Sequence, residues 1–527
     1  MKSRIVSRRT VLVDMSRVAA APSVFGALIM APFNAAAQAP KVLKSRGAQA
    51  VSVLDPAGRL GAVDGDVMQA ILPSLVKWKA GSRWEWEKDL ATDIQQTDPT
   101  TIRFTLRRGA MWTGGFGEVT AEDVKYSFER IADPAFKSAY RTDWDSLERV
   151  ELTGSHSGVI VLKRAFVPLW TTTLPMDSGL IVCKKAVEAM PEKKFTLDPG
   201  ATCGPYRIKK LEPRRSITLE RNPQWNGARP AYDEIEYIQI VDANAAEIAY
   251  QAGEVDYTQV PLSSVGRLRK TPPPKSKLLV TPSLAYWWVG MQSESGPFAD
   301  IRVRRAVQHA LDVDMILEGT FLGIAQRSTG LIASALVGHR KANKVGNKPD
   351  KARARTLLAE AGLGGGFRTT IGVRNSTEFL SAAQIAAASL AEVGIRAEII
   401  PFDTGQQKAL AGDKTGRWKE AGIHIGRFSM LPDPSWATAW FVSSQIGEWN
   451  WERFSNAEFD RLHDAAKSEL NATRRQEMYE RMQDIMEDSG SYVFLTHGAS
   501  ASLYRESVKP GLSPDGQLQK FADFAPV

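Results

Sequence analysis

Alternation of apolar and polar positions marks the first predicted strands. In "TTIRFTLRRG", Ile102, Phe104 and Leu106 recur at every second residue, the period of a half-buried strand. The period then changes. In "TAEDVKYSFERI", Val124, Phe128 and Ile131 share one helical face, and Thr120 with Asp123 has the spacing of a capping box. "YRIKKLEPRRSITLERN" reads as two strands around a polar Glu-Pro-Arg-Arg turn, and "IEYIQIV" as another strand. In "IRVRRAVQHALDVDMI", introduced by Pro297 and Asp300, the positions Val303, Ala306, Val307, Ala310 and Leu311 form one helical stripe. "PDKARARTLLAEAGL" predicts a helix with Pro near its first turn and Gly362 past its end. "FRTTIGVRN", a helix from about Ser381 to Val393, and "IRAEIIPF" follow as strand, helix and strand, a βαβ unit. The stretch from Asn456 to Asp488 is mostly helical, with Asn471 as a second cap. The chain is mixed α/β, and 527 residues call for at least two lobes.

The first residues do not belong to this pattern. Ser7-Arg8-Arg9 precedes an uncharged, mostly apolar run from Val18 to Phe33, and small residues follow, as in an export signal. The paired arginines of "SRRTVLV" resemble a twin-arginine signal, with Val11 and Val13 standing where that pattern prefers Phe and Lys. The general secretory route stays open. Ala35-Ala36-Ala37 offers a cleavage site, and no cysteine stands near it for a lipid anchor. Residues 1–39 are therefore expected to be removed, leaving a soluble periplasmic protein.

Charge adds little. The formal net charge is +8, and residues 1–39 supply half of it through Lys2, Arg4, Arg8, Arg9 and Arg17 against Asp14. The remainder gives no case for nucleic-acid binding, which needs basic residues gathered on one face. Two cysteines, Cys183 and Cys203, suggest a disulfide in an oxidising compartment, closing a loop of about 20 residues worth ~3 kcal/mol. Two buried free thiols are the alternative.

Catalytic and metal motifs are missing. The six histidines (156, 309, 339, 424, 463 and 497) are scattered, and no H-E-x-x-H, G-x-S-x-G or phosphate-loop pattern occurs. "GLGGG" at 362–366 follows a helix rather than a strand, the wrong context for a dinucleotide fingerprint. No cofactor and no catalytic residue is expected.

Several segments in order resemble one family. "WEWEKDLATDIQQTDPTTIRFTLRRGAMWTGG" with "VTAEDVKYSFERIADP", then "CGPYRIKKLEPRRSITLERNPQW", "IAYQAGEVDYTQVP", "PFADIRVRRAVQHALDVDMI", "ARTLLAEAGL" and "LAEVGIRAEI" resemble the dipeptide/oligopeptide class of ABC-transporter solute-binding proteins, extracellular family 5. The resemblance implies a two-lobed periplasmic-binding-protein-like fold (type II, cluster C) with an extra subdomain in the N-terminal lobe. It places lobe I at 40–71, 200–282 and 497–527, the extra subdomain at 72–199 and lobe II at 283–496, with hinge crossings near 282–290 and 490–500. It also implies a monomeric, non-enzymatic receptor that closes on a solute and docks on a membrane permease powered by a separate ATPase. The cysteine pair would lie where the extra subdomain returns to lobe I.

The resemblance carries over to site residues. In the family's peptide binders a carboxylate just before the matching Asp-Pro pairs with the solute's α-ammonium. Aligned on Asp433-Pro434, that position falls at or near Met430, and Arg427, Phe428, Ser429 and Met430 contain no acid. Either Asp433 takes over the role or the solute is not a free-amino peptide; Asp433 as a plain turn residue is the bland reading. Arg374 in "GVRNST" matches an arginine that takes the solute carboxylate, which a guanidinium suits through paired hydrogen bonds. Trp287, Trp288 and Trp436 are candidates for an aromatic cleft wall, against ordinary core packing. Peptides, opine-like conjugates and other organic acids are the candidate solutes. An extracytoplasmic hydrolase and a peptide-binding chaperone are the competing classes.

Overall fold

A computed structural model describes residues 39–527 other than 347, 404, 405, 407, 408, 411, 414 and 421. The expected export segment lies outside these residues, save Ala39. Among the described residues no helix is long and apolar enough to cross a membrane.

Two sheets organise the chain. The first has seven strands in the spatial order Tyr206–Glu212, Ser216–Arg221, Glu234–Gln239, Val42–Gly47, Tyr257–Gln259, Ala499–Arg505 and Ser276–Pro282. Its centre is parallel, Val42–Gly47 pairing with both Glu234–Gln239 and Tyr257–Gln259. The second has five strands in the order Ile395–Phe402, Phe367–Arg374, Ile423–Ser429, Ala285–Met291 and Tyr492–Thr496. An inserted antiparallel sheet, Ala91–Asp98, Thr101–Leu106, Ser157–Leu162 and Leu147–Gly154, forms a subdomain. One continuous apolar core joins this subdomain to the seven-stranded sheet.

The chain passes between the two large sheets twice. Ser276–Pro282 leads through two residues into Ala285–Met291, and Tyr492–Thr496 leads through two residues into Ala499–Arg505. Ser283 Oγ donates to the His497 carbonyl at 2.7 Å, so the two crossings are tied together.

The five-stranded sheet is covered on both faces, which explains its apolar strands. Successive side chains of Ala285–Met291 enter opposite layers. Trp287, Val289 and Met291 join the layer beneath helices Ile301–Ala310 and Thr377–Ala391, with Val303, Val307 and Phe379. Tyr286 and Trp288 join the other layer, with Met430, Phe441, Tyr479 and Tyr492.

Local signals act where physics places them. Thr120 and Asp123 form the capping box of helix Ala121–Ala132, with Thr120 N–H 2.9 Å from Asp123 Oδ2. Asn471 caps helix Ala472–Asp488 by accepting from Arg474 N–H at 3.0 Å. The stripe expected as one helix after Asp300 is two, Ile301–Ala310 and Val313–Phe321. Asp312 breaks it by accepting from Met315 N–H at 3.0 Å and starting a new helix.

The expected cystine is not formed. Cys183 and Cys203 are both buried free thiols. Each serves as a small apolar side chain in the joint core, and burial pushes the Cys203 thiol up to about 12.

Candidate ligand-binding site

The strands Phe367–Arg374 and Ile423–Ser429 run parallel, so their carboxyl ends lie at one end of the sheet. The first crossing enters the sheet at this same end, where Ala285 pairs with Ser429 and Trp287 with Arg427. The crevice beyond the carboxyl ends of parallel strands is where open α/β sheets take ligands.

Arg374 is the last residue of its strand. Its guanidinium carbon lies 5.3 Å from the Phe379 ring centroid, and Phe379 lies 4.4 Å from Trp287, centroid to centroid. Arg427 is half-buried beside Trp287. Burial holds its pKa below the ordinary arginine value, the Arg374 charge acts in the same direction, and Glu378 opposes both. Neither guanidinium forms a hydrogen bond or ion pair with another described residue, and Arg374 Nε is buried without a partner. The structure thus gathers Arg374, Arg427 and Trp287 at one sheet end.

Asp433 is elsewhere and fully occupied. It caps the short helix Pro434–Thr438, accepting from Ser435 N–H at 2.9 Å and Ser435 Oγ at 2.7 Å. Arg475 Nη2 lies 2.8 Å from both of its oxygens. Thr171 Oγ1, from the inserted subdomain, donates to Oδ2 at 2.8 Å. The carboxylate is fully buried. Burial works against the charge on Arg475, and Asp433 and Tyr479 together outweigh it. The expectation that Asp433 could shift into the role of amine anchor is corrected: its oxygens already serve the turn, the ion pair and the contact with the subdomain.

Met430 and Trp288 are also corrected as cleft residues. Met430 is buried in the layer that holds Trp288. Trp288 is wholly enclosed, and its Nε1–H donates to Glu452 Oε1 at 2.5 Å. Trp287 is largely buried too, its ring packed between Phe321 and Phe379. Trp436 is half-buried and lines a cavity of about 280 Å³ between Arg164, Phe166 and Pro168 on one side and Trp440 and Lys467 on the other.

The seam along this cavity escaped sequence reasoning. Val167 N–H donates to the Lys467 carbonyl at 2.8 Å, and Trp84 packs against the second lobe's aromatic layer. Nothing in the sequence marks Thr171 as Asp433's partner. Arg475 did leave a signal: it falls on the apolar stripe of its helix with Tyr479, Met482 and Met486, where a charge implies a buried partner. Among the described residues no group of three His, Cys, Asp or Glu could hold a metal.

Comparison with known proteins defines the class. The family model for bacterial extracellular solute-binding proteins, family 5 Middle, matches residues 85–449. The chain belongs to this family of binding proteins, and its fold is the two-lobed type II arrangement. The glutathione-binding protein GsiB of Salmonella choleraesuis is 25% identical over 399 residues, 74% of this chain and 76% of the relative. Among solved structures, HbpA2 from Haemophilus parasuis superposes with a TM-score of 0.81 at 20% identity, over 92% of this chain and 100% of that one. DppA from Helicobacter pylori, in complex with peptide STSA, gives 0.73 at 24% identity over 92% and 98%. MoaA from A. tumefaciens, in complex with mannopinic acid, gives 0.71 at 22% over 93% and 100%. The three structures bear on the fold alone.

Proposed function

We propose that this protein is the exported solute receptor of an ABC importer, capturing a peptide or peptide-like acid between its lobes for a membrane permease driven by a separate ATPase. The observation that carries the acidic solute is Arg374, a half-buried guanidinium at the carboxyl end of a parallel strand with no counter-charge among the described residues bonded to it. A guanidinium in that setting is completed by a carboxylate, through two parallel hydrogen bonds. The relative named for glutathione supports the peptide-like class. The apolar run and paired arginines before Ala35 support export. We take residues 40–71, 200–282 and 497–527 as the first lobe, 72–199 as its subdomain and 283–496 as the second lobe, supported by where the strands of each sheet fall.

A second reading is a non-peptide organic acid such as an opine. It is favoured by the closed-off Asp433, which leaves no carboxylate there for a solute's ammonium. A buried ammonium without a partner charge costs several kcal/mol.

Native mass spectrometry of the mature protein, purified gently from a periplasmic extract, tests both. A co-purifying short peptide or glutathione supports the first reading, and an opine-like acid supports the second. Calorimetric titration with glutathione follows. A neutral sugar as the retained solute overturns both.

A further inference from the structure

The fully buried arginines among the described residues each bond an acid or a backbone carbonyl, although Arg130 Nε is left without a partner. Arg130 pairs with Asp55, Arg340 with Glu487, and Arg475 with Asp433. Arg46 and Arg304 donate to backbone carbonyls. Arg374 and Arg427 are the contrast. They lie on neighbouring strands at the same sheet end, beside the Trp287–Phe379 pair, and neither is bonded to an acid among the described residues. The acid that acts on Arg427 is Glu378, which is exposed and hydrogen-bonded to Ser376 Oγ at 3.2 Å. One solvated carboxylate does not offset two guanidiniums that are themselves partly desolvated.

We infer that Arg427 acts with Arg374 as a two-guanidinium clamp for a solute whose acidic end carries two negative charges. The inference rests on the proposed role of Arg374 and deepens it by naming the solute's charge class. A monocarboxylate satisfies one planar fork and leaves the second cation beside it uncompensated. Two carboxylates on one short chain, or a single doubly charged phosphate, satisfy both. The apolar floor of Trp287 and Phe379 strengthens the discrimination, because it keeps water from replacing the missing charge. Arg427 is thus a specificity residue, while Arg374 supplies affinity for any acid.

The test uses the full mature protein and three probes at equal ionic strength and pH 8: butyrate with one carboxylate, glutarate with two, and inorganic phosphate as a single dianion. Binding is read by calorimetry. Glutarate or phosphate is expected to bind at least about tenfold more tightly than butyrate. The better of the two tells whether the clamp takes paired carboxylates or one dianion. In Arg427→Gln the ratio collapses to near one, because the dianions lose far more affinity than butyrate does. Arg427→Met serves if the glutamine variant fails to fold. Equal binding of all three by the wild type, no binding of either dianion up to about 10 mM, or a preference retained without Arg427 overturns the inference. A dianion preference in a protein that retains no peptide-like solute would sink the peptide reading and leave the clamp standing. A retained peptide with no dianion preference would do the reverse.

Discussion

The Thr171 hydroxyl donates to Asp433 Oδ2 at 2.8 Å, joining the proposed subdomain to the proposed second lobe across 262 residues of sequence. The acceptor is already held by Arg475, so the hydroxyl meets a pre-oriented carboxylate and pays no entropy to position it. With the Val167–Lys467 backbone bond, it closes the seam beside the Trp436 cavity. Opening of the lobes is expected to break both bonds. Thr171→Val should therefore weaken the closed state and lower solute affinity by about tenfold, the effect of losing one hydrogen bond to a charged group. Small-angle scattering of the solute-free variant should show a larger radius than the wild type. Unchanged affinity and radius would remove Thr171 from closure.

Arg475 and Asp433 are expected to matter for stability instead. Arg475→Ala leaves a fully buried carboxylate without its cation, which costs about 3–5 kcal/mol. Urea unfolding of the solute-free protein measures it. A loss below about 1 kcal/mol would mean that Thr171 and Ser435 alone satisfy the carboxylate.

These two roles show what the sequence could and could not reveal. Strand Thr101–Leu106, the box at Thr120 and Asp123, and the cap at Asn471 were legible because period and capping are local. The second break at Asp312 was equally local but was masked by an apolar stripe that runs through it. The order of blocks gave the class of fold. The turn role of Asp433 was legible, but its partners Arg475 and Thr171 were not, since they come from positions 42 and 262 residues away. Trp287 and Trp288 looked alike in sequence, and only their alternation in the strand separates the layer near Arg374 from the interior around Glu452.

Arg374 should behave oppositely to Arg475. Among the described residues it has no ion-pair partner to lose, only its contact with the Phe379 ring, so Arg374→Ala should shift the unfolding midpoint of the solute-free protein little. Affinity for an acidic solute should fall by about 100-fold or more, because truncating one partner of a buried charge pair costs about 2–5 kcal/mol. The carboxamide form of the same solute should bind wild type and variant alike. Equal losses for acid and amide would mean that Arg374 only shapes the wall.

The thiols give a direct check on the core. Cys183 and Cys203 are buried and unbonded, so a maleimide should add to neither in the native protein and to both in urea without reductant. Mass spectrometry counts the additions. No labelling in urea until a reductant is added would show a disulfide.

Stability should also depend on pH through Asp66 and His497. Asp66 is buried between Tyr237 Oη and Gln519 N–H, and burial raises its pKa to about 7. Its unfolded value is about 3.9, so between those values the folded state binds more protons and stability falls as pH rises. His497, at the second crossing, is opposite: burial lowers its pKa to about 4, so the folded state binds fewer protons below about 6.5 and stability falls as pH drops. Over their shared range, from about pH 4 to 6.5, the two slopes oppose each other, so the wild type should be nearly flat there and decline only between about 6.5 and 7. Asp66→Asn should uncover the His497 slope, so that stability falls as pH drops below about 6.5, and His497→Gln should uncover the Asp66 slope, so that stability falls as pH rises from about 4 to 7. Chemical unfolding from pH 4 to pH 8 reads both. Parallel curves for wild type and Asp66→Asn would show that Asp66 is ionised in the fold at all these pH values.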